Sequence, residues 1–102
     1  MIITKVTGTT FGRRQETIRE LYNNGMLEKD CLIELIKEPD CKFDKNARRC
    51  EVAGNVIGYV DKEIAEFLSI MEERNVNYIG VVEWAGSFHE NIGIRMILKR
   101  LG

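Results

Sequence analysis

Phe43 stands in a run of charged and turn-forming residues, Glu38-Pro39-Asp40-Cys41-Lys42-Phe43-Asp44-Lys45-Asn46-Ala47. Pro39, Asp40, Asp44 and Asn46 all favour a bend, so the run reads as a loop. A large ring with no apolar sequence neighbours has two uses. It tucks under the loop and plugs the core, or it offers its face to something that binds. Asp44, next to it, has an evident local use as the cap of its own turn through Lys45 and Asn46.

Catalysis is hard to build from the remaining candidates. The single histidine, His89, lies near an expected turn. Ser69 lies on an expected helix and Ser87 in an expected turn, and neither has the strand-turn-helix setting of a nucleophile elbow. Gly8-x-x-x-Gly12 lacks the Lys-Ser/Thr pair of a phosphate-binding loop. Cys31, Cys41 and Cys50 with His89 have the wrong spacing for zinc. No carboxylate pair stands out. The inventory points to a non-enzymatic binding module with no cofactor and no metal.

These residues must be positioned by a short series of elements. Ile2 to Thr7 is rich in β-branched residues and reads as a strand, ending in the loop Gly8-Thr9-Thr10-Phe11-Gly12. Ile18, Leu21 and Tyr22 give one buried face to a helix from about Arg13 to Asn23. Asn23-Asn24-Gly25 stops it. Cys31 to Lys37 is a strand with two largely apolar faces, which suggests a central place in the sheet. Arg48 to Ala53 and Val56 to Val60 flank Gly54-Asn55, a two-residue hairpin signal.

Asp61 reads as the N-cap of a helix from Lys62 to about Arg74. Ile64, Phe67, Leu68 and Met71 form its apolar stripe, which reads as core. Val76 to Trp84 and Glu90 to Leu101 close the chain as strands, with Ala85-Gly86-Ser87 turning between them. Ile92, Ile94, Met96 and Leu98 alternate inward on the last strand. The order is β-α-β-β-β-α-β-β. Short connections make the sheet mainly antiparallel, and six strands with two helices fit a small barrel or a curled sheet.

Length and composition set the outer bounds. The 102 residues make one domain, 1–102, with a modest core. No apolar run approaches the ~20 residues of a membrane span, so no membrane contact is expected. The N-terminus lacks the layout of a signal peptide, and the cysteines are odd in number without a C-x-x-C. Reduced thiols and a cytoplasmic location are the expectation. A net charge of −1 argues against coating nucleic acid by bulk electrostatics, while leaving room for a local basic patch.

Four segments resemble the HIRAN domain family. They are Val6-Thr7-Gly8-Thr9-Thr10-Phe11-Gly12-Arg13-Arg14-Gln15, then Glu38-Pro39-Asp40 with Phe43-Asp44-Lys45-Asn46-Ala47, then Val56-Ile57-Gly58-Tyr59-Val60, then Lys62-Glu63-Ile64-Ala65. The resemblance implies an α+β fold, a six-stranded OB-like β-barrel with two packed helices. It also implies a receptor for the 3′ end of single-stranded DNA, used in DNA repair or replication-fork processing, with a helicase or nuclease as possible partner protein. The residues it assigns to DNA are Thr10, Phe11, Arg13, Phe43, Asp44 and Lys62. Phe43 would stack on a terminal base, and Asp44 would accept a hydrogen bond from the free 3′-OH. Lys62, at a helix start, would reach a phosphate.

The chain departs from the family pattern in places. Cys41-Lys42 stands where the family commonly has Asn-Pro, and Thr10-Phe11 where DNA-binding members offer a basic-aromatic pair. Arg48 replaces an aliphatic residue and suggests a more exposed strand start. These departures support a second reading, a HIRAN-like scaffold turned to protein–protein or regulatory work without DNA.

Overall fold

The computed structural model describes residues 1–101. Gly102, the last residue of the expected domain, lies outside them. The elements are β1 (Ile2–Thr7), α1 (Arg14–Asn23), β2 (Leu32–Lys37), β3 (Arg48–Val52), β4 (Asn55–Val60), α2 (Lys62–Glu73), β5 (Tyr78–Phe88) and β6 (Asn91–Arg100). The six strands close into an antiparallel barrel in the order β1-β4-β3-β2-β5-β6. Of the barrel and the curled sheet that the element order allows, the closed barrel implied by the resemblance is the fold observed.

Strand alternation sets the inside. Ile92, Ile94, Met96 and Leu98 of β6 are all buried, as are Ile33 of β2 and Cys50 and Val52 of β3. The helices add Ile18, Leu21, Ala65 and Leu68 to the same core. Each Ile, Leu, Val or Met among them contributes roughly 1.5–3 kcal/mol when fully buried, so the inward rows dominate the fold's stability. Phe67 of α2 packs its ring on Tyr78 at 5.8 Å. Burial pushes the Cys50 thiol up to about 12, so this sulfur stays protonated.

Several local expectations are corrected. Tyr22, on the flank of the face that buries Ile18 and Leu21, is exposed. Both faces of β2 were expected to be covered. Leu32 and Glu34 instead face outward and are exposed, and β2 is central because a closed ring gives every strand two neighbours. The hairpin turn is Ala53-Gly54, one residue earlier than expected, with φ of 50° and 80°. Those angles suit the tight turns that match strand twist. Asn55 belongs to β4, where its side-chain amide donates back to the Val52 and Ala53 carbonyls. Asp61 does precede α2, but its side chain makes no capping bond. Its carbonyl accepts the first helical bond, from the Ala65 N–H at 2.8 Å.

The largest correction concerns Ala85-Gly86-Ser87. These residues are strand, paired with Ile94, Gly93 and Ile92, and β5 runs on to Phe88. The pairing register shifts between Val82 and Trp84. Val82 faces the core with no exposure, so unbroken alternation would point Trp84 inward. The bulge turns it outward instead, and 43% of it is exposed. Its ring then lies over Gly86, where a Cβ would come within 2.5 Å of the indole. Glycine is needed there for the ring, not for a turn.

Arg48 is also corrected. It has the inward parity of Cys50 and Val52, and only 8% of it is exposed. Its guanidinium meets Glu72 of α2 at 2.9 Å, and Lys37 meets the other oxygen of the same carboxylate at 2.6 Å. The pair ties the start of β3 to the last turn of α2.

Candidate functional site

Tyr59 joins two loops on the outer wall of the barrel. It lies in register with Thr7 of β1 on one side and Arg49 of β3 on the other. Their inward neighbours Val6, Val60 and Cys50 are buried, so this row faces outward. Close contact between β1 and β4 depends on Gly58. A Cβ there would sit 2.3 Å from the Thr7 carbonyl oxygen and 2.7 Å from Val6. No side chain fits in that space, so glycine is what lets the first loop approach Tyr59.

The first loop, between β1 and α1, is tied down from two directions. Arg14 at the start of α1 donates to the Gly8 carbonyl at 2.9 Å. Its guanidinium lies 5.1 Å from the Phe11 ring centre and 5.2 Å from that of Tyr59, within cation–π range of both. Gln15 donates to the carbonyls of Thr9 and Ile92, each at 3.1 Å, and accepts the Ile92 N–H at 2.8 Å. Its side-chain amide thereby acts as one more rung of the ladder beside β6. Phe11 remains 72% exposed on this anchored loop.

The second loop, between β2 and β3, is closed by its own backbone. Glu38 N–H meets the Ala47 carbonyl at 2.9 Å, and Ala47 N–H meets the Asp44 carbonyl at 3.0 Å. One carboxylate oxygen of Asp44 accepts the Asn46 N–H at 2.9 Å. The local capping use of Asp44 is therefore real. Phe43 does not plug the core: it is 91% exposed. Glu38, at the loop's root, pairs with Arg49 at 3.0 Å. The Tyr59 hydroxyl, as hydrogen-bond donor, and then the Arg49 and Arg14 guanidiniums hold the Glu38 carboxyl below its ordinary range, against the opposing effect of burial. The same contact with Glu38 pushes the Tyr59 hydroxyl up.

The six residues singled out in the sequence thus divide into groups. Thr10, Phe11 and Arg13 share the first loop, and all three are exposed. Phe43 and Asp44 share the second. The link between the loops is Arg14–Tyr59–Glu38, made of residues that were not singled out. Lys62 opens α2 and is exposed. Among the described residues, no hydrogen bond or ion pair joins its side chain to either loop.

A solved structure shares this architecture. It is the crystal structure of the HIRAN domain of human HLTF, with a TM-score of 0.62 and 22% identity, covering 95% of this chain and 73% of that one. A curated relative, the helicase-like transcription factor of Oryctolagus cuniculus, is 34% identical over 68 residues. The chain has the fold of a HIRAN domain. The match covers 65% of the chain but only 7% of the length of that relative. No protein-family model matches.

Four residues of this candidate site were not singled out in the sequence, and each of the four left a trace there. Arg14, Gln15, Glu38 and Tyr59 all fall inside the segments that carried the resemblance. Choosing Arg14 over Arg13 needs the helix phase, because Arg13 sits at the cap and Arg14 in the first turn. Choosing Tyr59 needs the register with Thr7. Trp84 gave no trace, since a bulge decides where it points. Among the described residues, no cluster of His, Cys, Asp or Glu is arranged to hold a metal ion, and no helix is long and apolar enough to cross a membrane.

Proposed function

We propose that the protein is a binding module for the 3′ end of single-stranded DNA. The observation that carries this reading is the exposure of Phe43, a ring presented to solvent on a loop of polar residues. An aromatic so placed gains little for the fold and is worth roughly 1–3 kcal/mol to a stacked base of any identity. Phe11 supplies a second exposed ring on the first loop, with Arg14 behind it as a positive charge. Asp44 spends one oxygen on Asn46 and keeps the other for a hydroxyl donor. Thr10, Arg13 and Lys62 are the remaining contacts to phosphate or sugar. The similarity to the HIRAN domain of a helicase-like factor supports work at DNA ends in repair or at replication forks, alongside a helicase or nuclease partner.

The test is fluorescence anisotropy of a short oligonucleotide carrying a free 3′-OH or a 3′-phosphate. Asp44→Asn is the informative variant. Its amide oxygen still accepts the Asn46 N–H, so the turn survives while the carboxylate is gone. The free hydroxyl should bind tighter in the parent, and the preference should vanish in Asp44→Asn. Equal binding of both ends by the parent protein would remove end recognition. No binding of either by folded protein would leave the reading as a protein–protein scaffold.

A further inference from the structure

On the other side of β1 from Tyr59, the outer face of β1, β6 and β5 holds a groove of about 650 Å³. Its walls include Lys5, Thr10, Trp84, Gly93 and Arg95. Lys5 pairs with Arg95 across β1 and β6, and Arg95 pairs with Trp84 across β6 and β5. The three side chains therefore form one outward row. The Arg95 guanidinium lies 5.3 Å from the Trp84 ring centre and 3.3 Å from Glu83. Lys5 is exposed and makes no ion pair among the described residues. At Gly93 a Cβ would meet nothing within 4 Å, so the floor is open there.

We infer that this groove is a second nucleotide subsite, taking the bases and phosphates that lie 5′ to the terminal nucleotide. The inference rests on the DNA-end reading above and extends it. Three features converge. A β-bulge turns the chain's only tryptophan outward, where its body gains less from the core than an inward ring would. Two cations continue the row from the ring across the same face, Arg95 next to it and Lys5 beyond, which suits a phosphate backbone with bases against an aromatic wall. The groove shares Thr10 with the first loop, so a strand held at Phe11 reaches Trp84 without leaving the protein surface. Glu83 offsets part of the charge of Arg95, which makes Lys5 the principal phosphate contact.

Because Trp84 is the chain's only tryptophan, its emission reports directly on the groove. The experiment titrates the full chain with an oligothymidylate dinucleotide and decanucleotide, both with free 3′-OH. Anisotropy and Trp84 emission are read together. The decanucleotide should bind at least about fivefold tighter, one stacked base's worth, and should alone quench Trp84. Gly93→Leu fills the open floor and should bring decanucleotide affinity down to that of the dinucleotide, leaving the dinucleotide unchanged. Lys5→Glu, at an exposed position, should do the same and flatten the salt dependence of the longer strand. Dinucleotide binding with no gain for the decanucleotide, or a gain with unchanged Trp84 emission, overturns the subsite and leaves the end-binding reading standing. Binding of neither overturns both.

Discussion

The two loops that meet at Tyr59 are built in opposite ways. The first is fastened to the barrel by side chains: Gln15 bonds it to β6, and Arg14 bonds it to Gly8 while stacking on Phe11 and Tyr59. The second is fastened chiefly to itself, through Glu38–Ala47 and Asp44–Asn46. Phe11 is therefore a pre-positioned ring, and Phe43 is an adaptable one. A ligand bound as proposed would gain affinity from the first because little ordering remains to be done, and fit from the second.

The strongest way to break this contrast is Gly58→Ala. The added methyl collides with the Thr7 carbonyl and pushes β1 off β4, removing the seat of the first loop. Urea denaturation should find the variant destabilised by about 3 kcal/mol, near the upper end for overpacking. Gln15→Ala comes next. It leaves the Ile92 N–H and carbonyl without that partner and should cost about 2 kcal/mol by the same measurement. A smaller effect follows acidification. Tyr59 and Arg49 hold the Glu38 carboxyl below the ordinary value of 4.5, and Lys37 and Arg48 do the same for Glu72. A lowered folded pKa contributes stability that is present above 4.5 and lost as pH falls through the folded value. The urea midpoint should be flat from neutral pH down to about 5 and drop below that. Glu38→Gln should show a shallower drop. Phe43→Ala should be the smallest change in stability, within about 0.5 kcal/mol by urea, because its ring touches mainly solvent. If it instead destabilises like Gln15→Ala, the second loop is not adaptable and the contrast fails.

Much of the fold could be read from local pattern. The alternation Ile92, Ile94, Met96, Leu98 and the stripe around Leu68 report burial directly, because a period of two or 3.6 residues has one physical reading. What stayed hidden depends on pairing between distant residues. The outward turn of Trp84 is a one-residue slip against β6, and the strand character of Gly86 depends on the ring that covers it. Arg48 looked like a surface residue, since its partner Glu72 lies on α2 and only the folded chain brings them together. The site was half visible for the same reason. Phe11, Phe43 and Asp44 sit in loops whose composition marks them. Arg14, Tyr59 and Glu38, which join those loops, are separated in sequence and meet through the register of β1, β4 and β3.

The ring of strands also restricts how the protein can recruit anything. Among the described residues each strand has a hydrogen-bonded neighbour on both sides, and free edge is confined to the segments that run past the two-pair seams between β1 and β4 and between β2 and β5. Strand addition, the common route by which sheet proteins capture extended peptides, has only those short segments to use. Side chains and loop backbone are the larger surfaces it has for recognition. The same closure protects it from the edge-to-edge assembly that burdens open sheets.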